Sequence, residues 1–187
     1  MNNTKTRAFL AIDIDKKLIP PIKNIQEEFK KTNTNIKYVE IKNIHLTLKF
    51  FGNINEKMID KISIATENTL KKYNSLKINI KGTGTFPNEN HIKVIWIGIT
   101  KNPILNNLQH ELDEEFEKLG FKKEKNYSHH LTIGRMKSPK NKEEIKEKLN
   151  TFKNTKIGEM KIREISLKKS ELTPNGPIYS NIKTFTI

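Results

Sequence analysis

The chain contains no cysteine. That excludes disulfide staples, thiol nucleophiles and cysteine-ligated zinc together. Long apolar runs are missing too: nothing approaches the ~18 uninterrupted apolar residues of a membrane-spanning helix. The opening residues, MNNTKTRAFLAIDID, turn acidic too early for the apolar segment of a secretory signal. These absences give the expectation of a soluble, cytoplasmic protein. Arginine is also scarce. Of 35 cationic side chains only Arg7, Arg135 and Arg163 are arginine. Where lysine meets every generic need for charge, a retained arginine points to its planar fork, which grips a phosphate or carboxylate bidentately.

What is present is mostly charge. The 187 residues carry 35 cationic and 21 anionic side chains, a formal net charge of +14, and the pI near 9.8 favours polyanionic partners such as nucleic acid. The length suits one compact domain, or two small lobes sharing a cleft. No Ser/Gly linker divides it.

Periodicity predicts strands and helices mixed throughout. Strands are expected at 7–13, 36–39, 44–51, 76–86, 92–99, 129–135, near 156–172 and at 177–186, with a bulge at Thr83-Gly84 and turns at Pro87–Asn90 and Thr173–Gly176. Helices are expected at 16–31, 55–73, from Asn102-Pro103 to about 119, and from Ser138-Pro139 to about 152. A duplication stands out. The strands IHLTLKF and HHLTIGR share a His-Leu-Thr-apolar core, lie 85 residues apart, and each precedes a helix. Two similar halves around a pseudo-twofold axis would bring the two motifs together.

On a strand, residues i and i+2 share a face. His45, Thr47 and Lys49 therefore face one way, and Ile44, Leu46, Leu48 and Phe50 the other. In the second motif His130, Thr132 and Gly134 share a face. The other three histidines carry no such pattern: His91 falls in a turn, His110 on the polar side of a helix, and His129 opposite His130. Metal binding is disfavoured, because neither motif strand carries a carboxylate and threonine is a poor ligand for zinc or iron. Two metal-free histidines suit in-line displacement at phosphorus, one taking a proton from water and the other protonating the departing oxygen. Threonine hydroxyls on the same faces can donate to the non-bridging oxygens.

At these residues the sequence resembles the 2H phosphoesterases, named for two His-x-Thr-x motifs, here His45–Leu48 and His130–Ile133. Within that family it looks most like the RNA 2′,3′-cyclic phosphodiesterases, also known as LigT-like proteins or 2′-5′ RNA ligases. The likeness runs almost end to end through RAFLAIDI, HLTLKFFGNI, GTGTFPNENHIKVIWIGI, HHLTIGRMK and SLKKSELTPNGPIYS. It implies an α+β, bilobal, pseudo-twofold fold spanning 1–187, with two antiparallel sheets lining a central cleft and helices outside. It also implies a monomer without cofactor or metal, acting on RNA that ends in a 2′,3′-cyclic phosphate and leaving a 2′-phosphate. By motif order His45 is then the proton donor to O3′ and His130 the proton acceptor that activates water, with Thr47 and Thr132 on the phosphate oxygens. Arg135 matches a phosphate-contacting arginine, although strict alternation puts it on the face opposite His130 unless Gly134 allows a bulge. Arg7, Phe9 and Lys49 are further candidates for substrate contact: Phe9 by stacking on a base, Arg7 by reaching a phosphate, Lys49 by attracting the backbone. Three other readings stay open: 2′-5′ ligation, a basic, non-catalytic module that clamps RNA ends, and hydrolysis of cyclic nucleotides that are not part of a polymer.

Overall fold

A computed structural model describes residues 5–125, 127–138, 140–174 and 176–187. Its strands are β1 (Thr6–Asp13), β2 (Ile36–Tyr38), β3 (His45–Ile54), β4 (Leu76–Asn88), β5 (His91–Ile99), β6 (His130–Met136), β7 (Lys156–Ile162), β8 (Glu164–Thr173) and β9 (Gly176–Thr186). Its helices are α1 (Ile19–Lys30), α2 (Glu56–Leu70), α3 (Pro103–Lys118) and α4 (Lys142–Phe152). All strand pairs are antiparallel, in the order β7-β4-β5-β6-β3-β1-β8-β9, with β2 also on β6. Where β3 meets β6, one residue pair, Leu46 with Leu131, joins a four-stranded half (β3, β1, β8 and β9) to a half of four strands plus β2 (β6, β5, β4 and β7) in a single curled sheet of nine strands.

Local signals set most element boundaries. Asn55 caps α2 by accepting from the Met58 N–H at 2.9 Å, and Asn102 caps α3 by accepting from the Leu105 N–H at 3.0 Å. Pro103 occupies the first turn of α3, where its missing N–H does no harm. Gly120, at φ +94°, then turns the chain out of that helix. The N-terminal part of the expected first helix is a separate 3-10 turn at Lys16–Leu18, and α1 starts with Pro20 and Pro21 in its first turn. The last helix begins at Lys142 rather than at Ser138-Pro139. Pro139 and Asn175 lie outside the described residues. The expected stretch 156–172 is two strands, broken at Arg163. The bulge expected at Thr83-Gly84 falls just earlier, between Ile80 and Thr83, with Gly82 at φ +74°.

Each half-sheet is backed by one helix from each half of the chain. Over β3, Phe51 packs edge-on against Phe116 of α3 at 4.9 Å, and α2 lies beside α3 and β9. Over β6, Gln26 of α1 donates from Nε2 to the Val39 and Ile133 carbonyls, both at 2.8 Å. Thr83 of β4 donates to the Leu149 carbonyl of α4. The buried faces form a continuous core that includes Leu46, Leu48, Ile62, Ile97, Leu112, Leu131 and Ile133. The opposite face of the curled sheet is left open as a cleft.

Candidate active site

The cleft has a volume of about 670 Å³, and His45, Thr47, His130, Thr132 and Arg135 all line it. Both histidines are held in the same way. His45 Nδ1 lies 2.8 Å from the Asn43 carbonyl, and His130 Nδ1 lies 2.7 Å from the Ser128 carbonyl. A carbonyl only accepts, so Nδ1 carries the hydrogen in both rings. Nε2 is then the nitrogen left for the cleft, an acceptor when the ring is neutral and a donor when it is protonated.

The two rings rest on aromatic neighbours. Phe9 and Tyr179 flank His45 at 4.9 and 5.4 Å, and Phe86 meets His130 edge-on at 4.9 Å. Burial holds both imidazoles below their ordinary pKa, with the carbonyl bonds opposing. A cation adds to the depression in each case, Lys168 beside His45 and Arg135 beside His130.

A break in strand alternation brings Arg135 to the cleft. Along β6, Thr132 pairs with Trp96 and Gly134 with Ile95, so Ile133 has no partner of its own. This bulge turns Arg135 to the same side as His130. Gly134 suits it, because a Cβ there would come within 2.8 Å of Ile36 Cγ2. The motif strand β3 has the same irregularity: Thr47 pairs with Ala11 and Lys49 with Leu10, leaving Leu48 over. The bulge overturns the face assignment made from simple alternation. Phe50 faces the cleft and is 60% exposed, although alternation places it with the core.

Three further expectations need correction. Lys49 lines the cleft as expected, but it is only 4% exposed and its ammonium is tied to Asp113 of α3 at 2.5 Å and to the Lys122 carbonyl, which leaves it unsuited to attracting a substrate from solution. Phe9 is 2% exposed beneath His45, Phe50 and Tyr179, so it supports the site's wall rather than stacking on a base. Arg7 is exposed near Tyr179, whose pKa it helps to lower against the upward effect of burial, but it does not line the cleft.

Sequence reasoning missed Phe50, Tyr179 and Tyr127. Tyr127 is half-buried, and its hydroxyl donates to the Thr47 carbonyl, fixing the strand between the first histidine and its bulge. Tyr179 sits in the conspicuous segment SELTPNGPIYS, but only the return of β9 alongside β8 puts it next to His45. The neighbouring His129 bonds Asn106 at 2.8 Å, and burial pulls its pKa down to about 4. Among the described residues, no three His, Asp or Glu side chains cluster as a metal site would need.

The cleft is chemically lopsided. On the β2 and β6 side stand the cations Lys37, Arg135 and Lys137, together with Tyr38 and with Phe86 beside His130; on the β3 and β9 side stand Phe50, Pro177 and Tyr179, with the ammonium of Lys49 taken up by Asp113. The first wall suits phosphate and the second suits the flat face of a base.

Comparison with known proteins identifies the family and the fold. The family described as the 2′-5′ RNA ligase superfamily matches residues 16–173. An RNA 2′,3′-cyclic phosphodiesterase of Methanothermobacter thermautotrophicus is 42% identical over 183 residues, covering 98% of this chain and 100% of the relative. One from Methanocaldococcus jannaschii is 44% identical over 177 residues, covering 95% and 98%. Among solved structures, TT0787 of Thermus thermophilus superposes with a TM-score of 0.82 at 22% identity, covering 96% and 97% of the two chains. Escherichia coli LigT does so with a TM-score of 0.75 at 18% identity, covering 98% of each. At those identities the structural likeness speaks for the fold.

Proposed function

The chain belongs to the 2′-5′ RNA ligase superfamily, and from that premise we propose that it is an RNA 2′,3′-cyclic phosphodiesterase acting by metal-independent, two-histidine catalysis. The whole chain acts as one catalytic unit, each half contributing one His-x-Thr strand. The observation that carries this reading is the matched pair of carbonyl-anchored imidazoles lining one cleft. In-line opening of the ring needs an acid and a base on opposite sides of phosphorus. Two rings with Nδ1 committed elsewhere and Nε2 free for the cleft meet that need.

The lopsided walls support the direction of the reaction. The nucleoside carries both O2′ and O3′, so it lies on the leaving-group side of phosphorus. Its base fits the Phe50 and Tyr179 wall, which adjoins His45. His45 is therefore assigned as the acid that protonates departing O3′, and His130 as the base that takes a proton from the attacking water. The phosphorus–O3′ bond breaks, a phosphorus–oxygen bond to water forms, and the 2′-phosphate remains. Arg135 grips the non-bridging oxygens with its fork, helped by the Thr47 and Thr132 hydroxyls, where charge gathers in the transition state.

The test is a short RNA ending in a 2′,3′-cyclic phosphate, incubated with the protein in excess EDTA, with the product end identified. A 2′-phosphate is expected. A 3′-phosphate would overturn the leaving-group assignment, and loss of turnover in EDTA would overturn metal independence. Tight RNA binding with no turnover under any condition would make the protein a clamp for RNA ends.

A further inference from the structure

Behind His45 lies a second cavity of about 320 Å³ that ring opening does not use. It shares His45, Asn43 and Tyr179 with the main cleft. Its other walls are Asp13 at the end of β1, Lys42 in the 3-10 turn Ile41–Asn43, Lys168 in β8 and Ile178 in β9. Four separate parts of the chain thus converge on a small, strongly polar space with one apolar side chain at its rim.

The key group is Lys168, whose side chain is only 10% exposed. Its ammonium lies 2.9 Å from Asp13 Oδ2 and donates to Asn181 Oδ1 at 2.8 Å. A lysine ammonium has three donors, so these two partners leave capacity for a third. Lys42 contributes a second cation. Its pairing with Glu40 at 2.9 Å joins two exposed side chains, and a pair of that kind is readily exchanged for another partner. Lys42 and Lys168 against Asp13 leave one net positive charge on the cavity walls. A phosphodiester carries one negative charge. Ile178 is 55% exposed, an apolar surface of the kind that supports a base.

An RNA chain differs from a cyclic mononucleotide in one respect that matters here: a phosphodiester leaves O5′ of its last ribose, with another nucleotide beyond it. His45 and Tyr179 are walls of both cavities, so a terminal nucleoside placed at them has the second cavity as its immediate neighbour. Resting on the cyclic phosphodiesterase reading, we propose that this cavity is a subsite for the penultimate nucleotide of the RNA. Lys168 and Lys42 hold the phosphodiester joining the last two nucleotides, and Ile178 carries the penultimate base. The subsite makes the protein selective for the ends of RNA chains over free cyclic mononucleotides.

The experiment compares kcat/KM for a nucleoside 2′,3′-cyclic phosphate with that for the dinucleotide ending in the same cyclic nucleotide. The proteins compared are the native chain, Lys42→Gln and Ile178→Ser. Both replaced side chains are exposed and lie outside the catalytic cleft, so the fold is expected to tolerate the changes. The native protein should favour the dinucleotide by roughly tenfold or more, as a charge-assisted contact predicts. That advantage should shrink with added salt. Each variant should lose most of it while turning over the mononucleotide at the native rate. Equal kcat/KM for both substrates in the native protein overturns the subsite. So does an advantage that survives both substitutions and disappears instead in Lys37→Gln or Lys137→Gln, since the RNA would then leave over the opposite wall. No turnover of either substrate sinks the parent reading, and the subsite falls with it.

Discussion

The two motif strands, β3 and β6, are near copies of each other, and their differences are more instructive than their likeness. Each holds its histidine by Nδ1 to the carbonyl two residues earlier. Each places threonine two residues later, and each then leaves one residue unpaired, Leu48 or Ile133. The bulge delivers the fifth residue after the histidine to the cleft. In β6 that residue is Arg135; in β3 it is Phe50. The fourth residue differs as well: Gly134 makes way for Ile36, whereas Lys49 reaches inward to Asp113. One backbone device, used twice, supplies a cation for phosphate on one side and an aromatic face on the other. A symmetric scaffold thereby gains the polarity that an asymmetric substrate requires.

The strongest way to break the symmetry is to remove one histidine. His45→Ala and His130→Ala should each lower kcat on cyclic-phosphate RNA by about 10²–10⁴-fold, measured by steady-state product formation, with the double variant little worse than the poorer single. Comparable losses on both sides are expected; one histidine dispensable would end the acid/base pairing. The next largest effect falls on stability. Lys49→Met strands Asp113 in the interior and should reduce unfolding free energy by about 3–5 kcal/mol, read from urea denaturation, with most of the loss recovered in Lys49→Met/Asp113→Leu. Gly134→Ala, at the matching place in β6, should lose far less, because a half-buried Ile36 side chain can give way.

The fifth positions sharpen the contrast. Arg135→Lys keeps the charge but loses the fork, and should lower kcat by roughly 10²-fold with little change in KM. Phe50→Ala should do the reverse, raising KM for RNA by about tenfold as a lost stacking contact predicts and leaving kcat close to native. If both variants moved the same parameter, the division between phosphate wall and base wall would be wrong. The smallest effect is in the pH profile. The proposed mechanism requires one ring neutral and the other protonated, so activity should peak between their two pKa values. Both lie below the ordinary imidazole value, which places the kcat/KM optimum below about pH 6.5. Arg135→Met removes the cation that helps depress His130, and should move the limb set by His130 to higher pH. A native optimum above pH 7 would contradict this.

Much of this is legible in the residues themselves. His-Leu-Thr on alternating strands marks the histidines, and Asn102-Pro103 marks the start of a helix. The spacing of the two motifs anticipates the two halves of the sheet. What period-two alternation cannot show is the bulge, because an unpaired residue is a property of the ladder and not of one strand. Hence alternation puts Phe50 in the core, the opposite of where it lies, and gives no sign that the ammonium of cleft-lining Lys49 is drawn in to Asp113. The open question over Arg135 has the same origin, and the glycine before it is the one local clue. Tyr179 and Lys168 depend on which strands return beside β1, a matter of long-range pairing that local pattern does not encode.

That pairing is itself cross-threaded. β4, from the first half of the sequence, completes the sheet that holds His130, while β8 and β9, from the second half, complete the sheet that holds His45. Helices α1 and α3 are exchanged in the same sense. A protease nick at the hairpin tip Glu89-Asn90 would therefore not release two working lobes. Each fragment would keep its own histidine strand with one neighbour, β1 beside β3 or β5 beside β6, but lack the strands beyond and a covering helix, exposing a raw sheet edge and an apolar face. Neither piece is expected to fold alone, and a chain that must close such distant contacts is expected to assemble slowly and cooperatively. The interleaving brings the two cleft histidines together only in the whole fold.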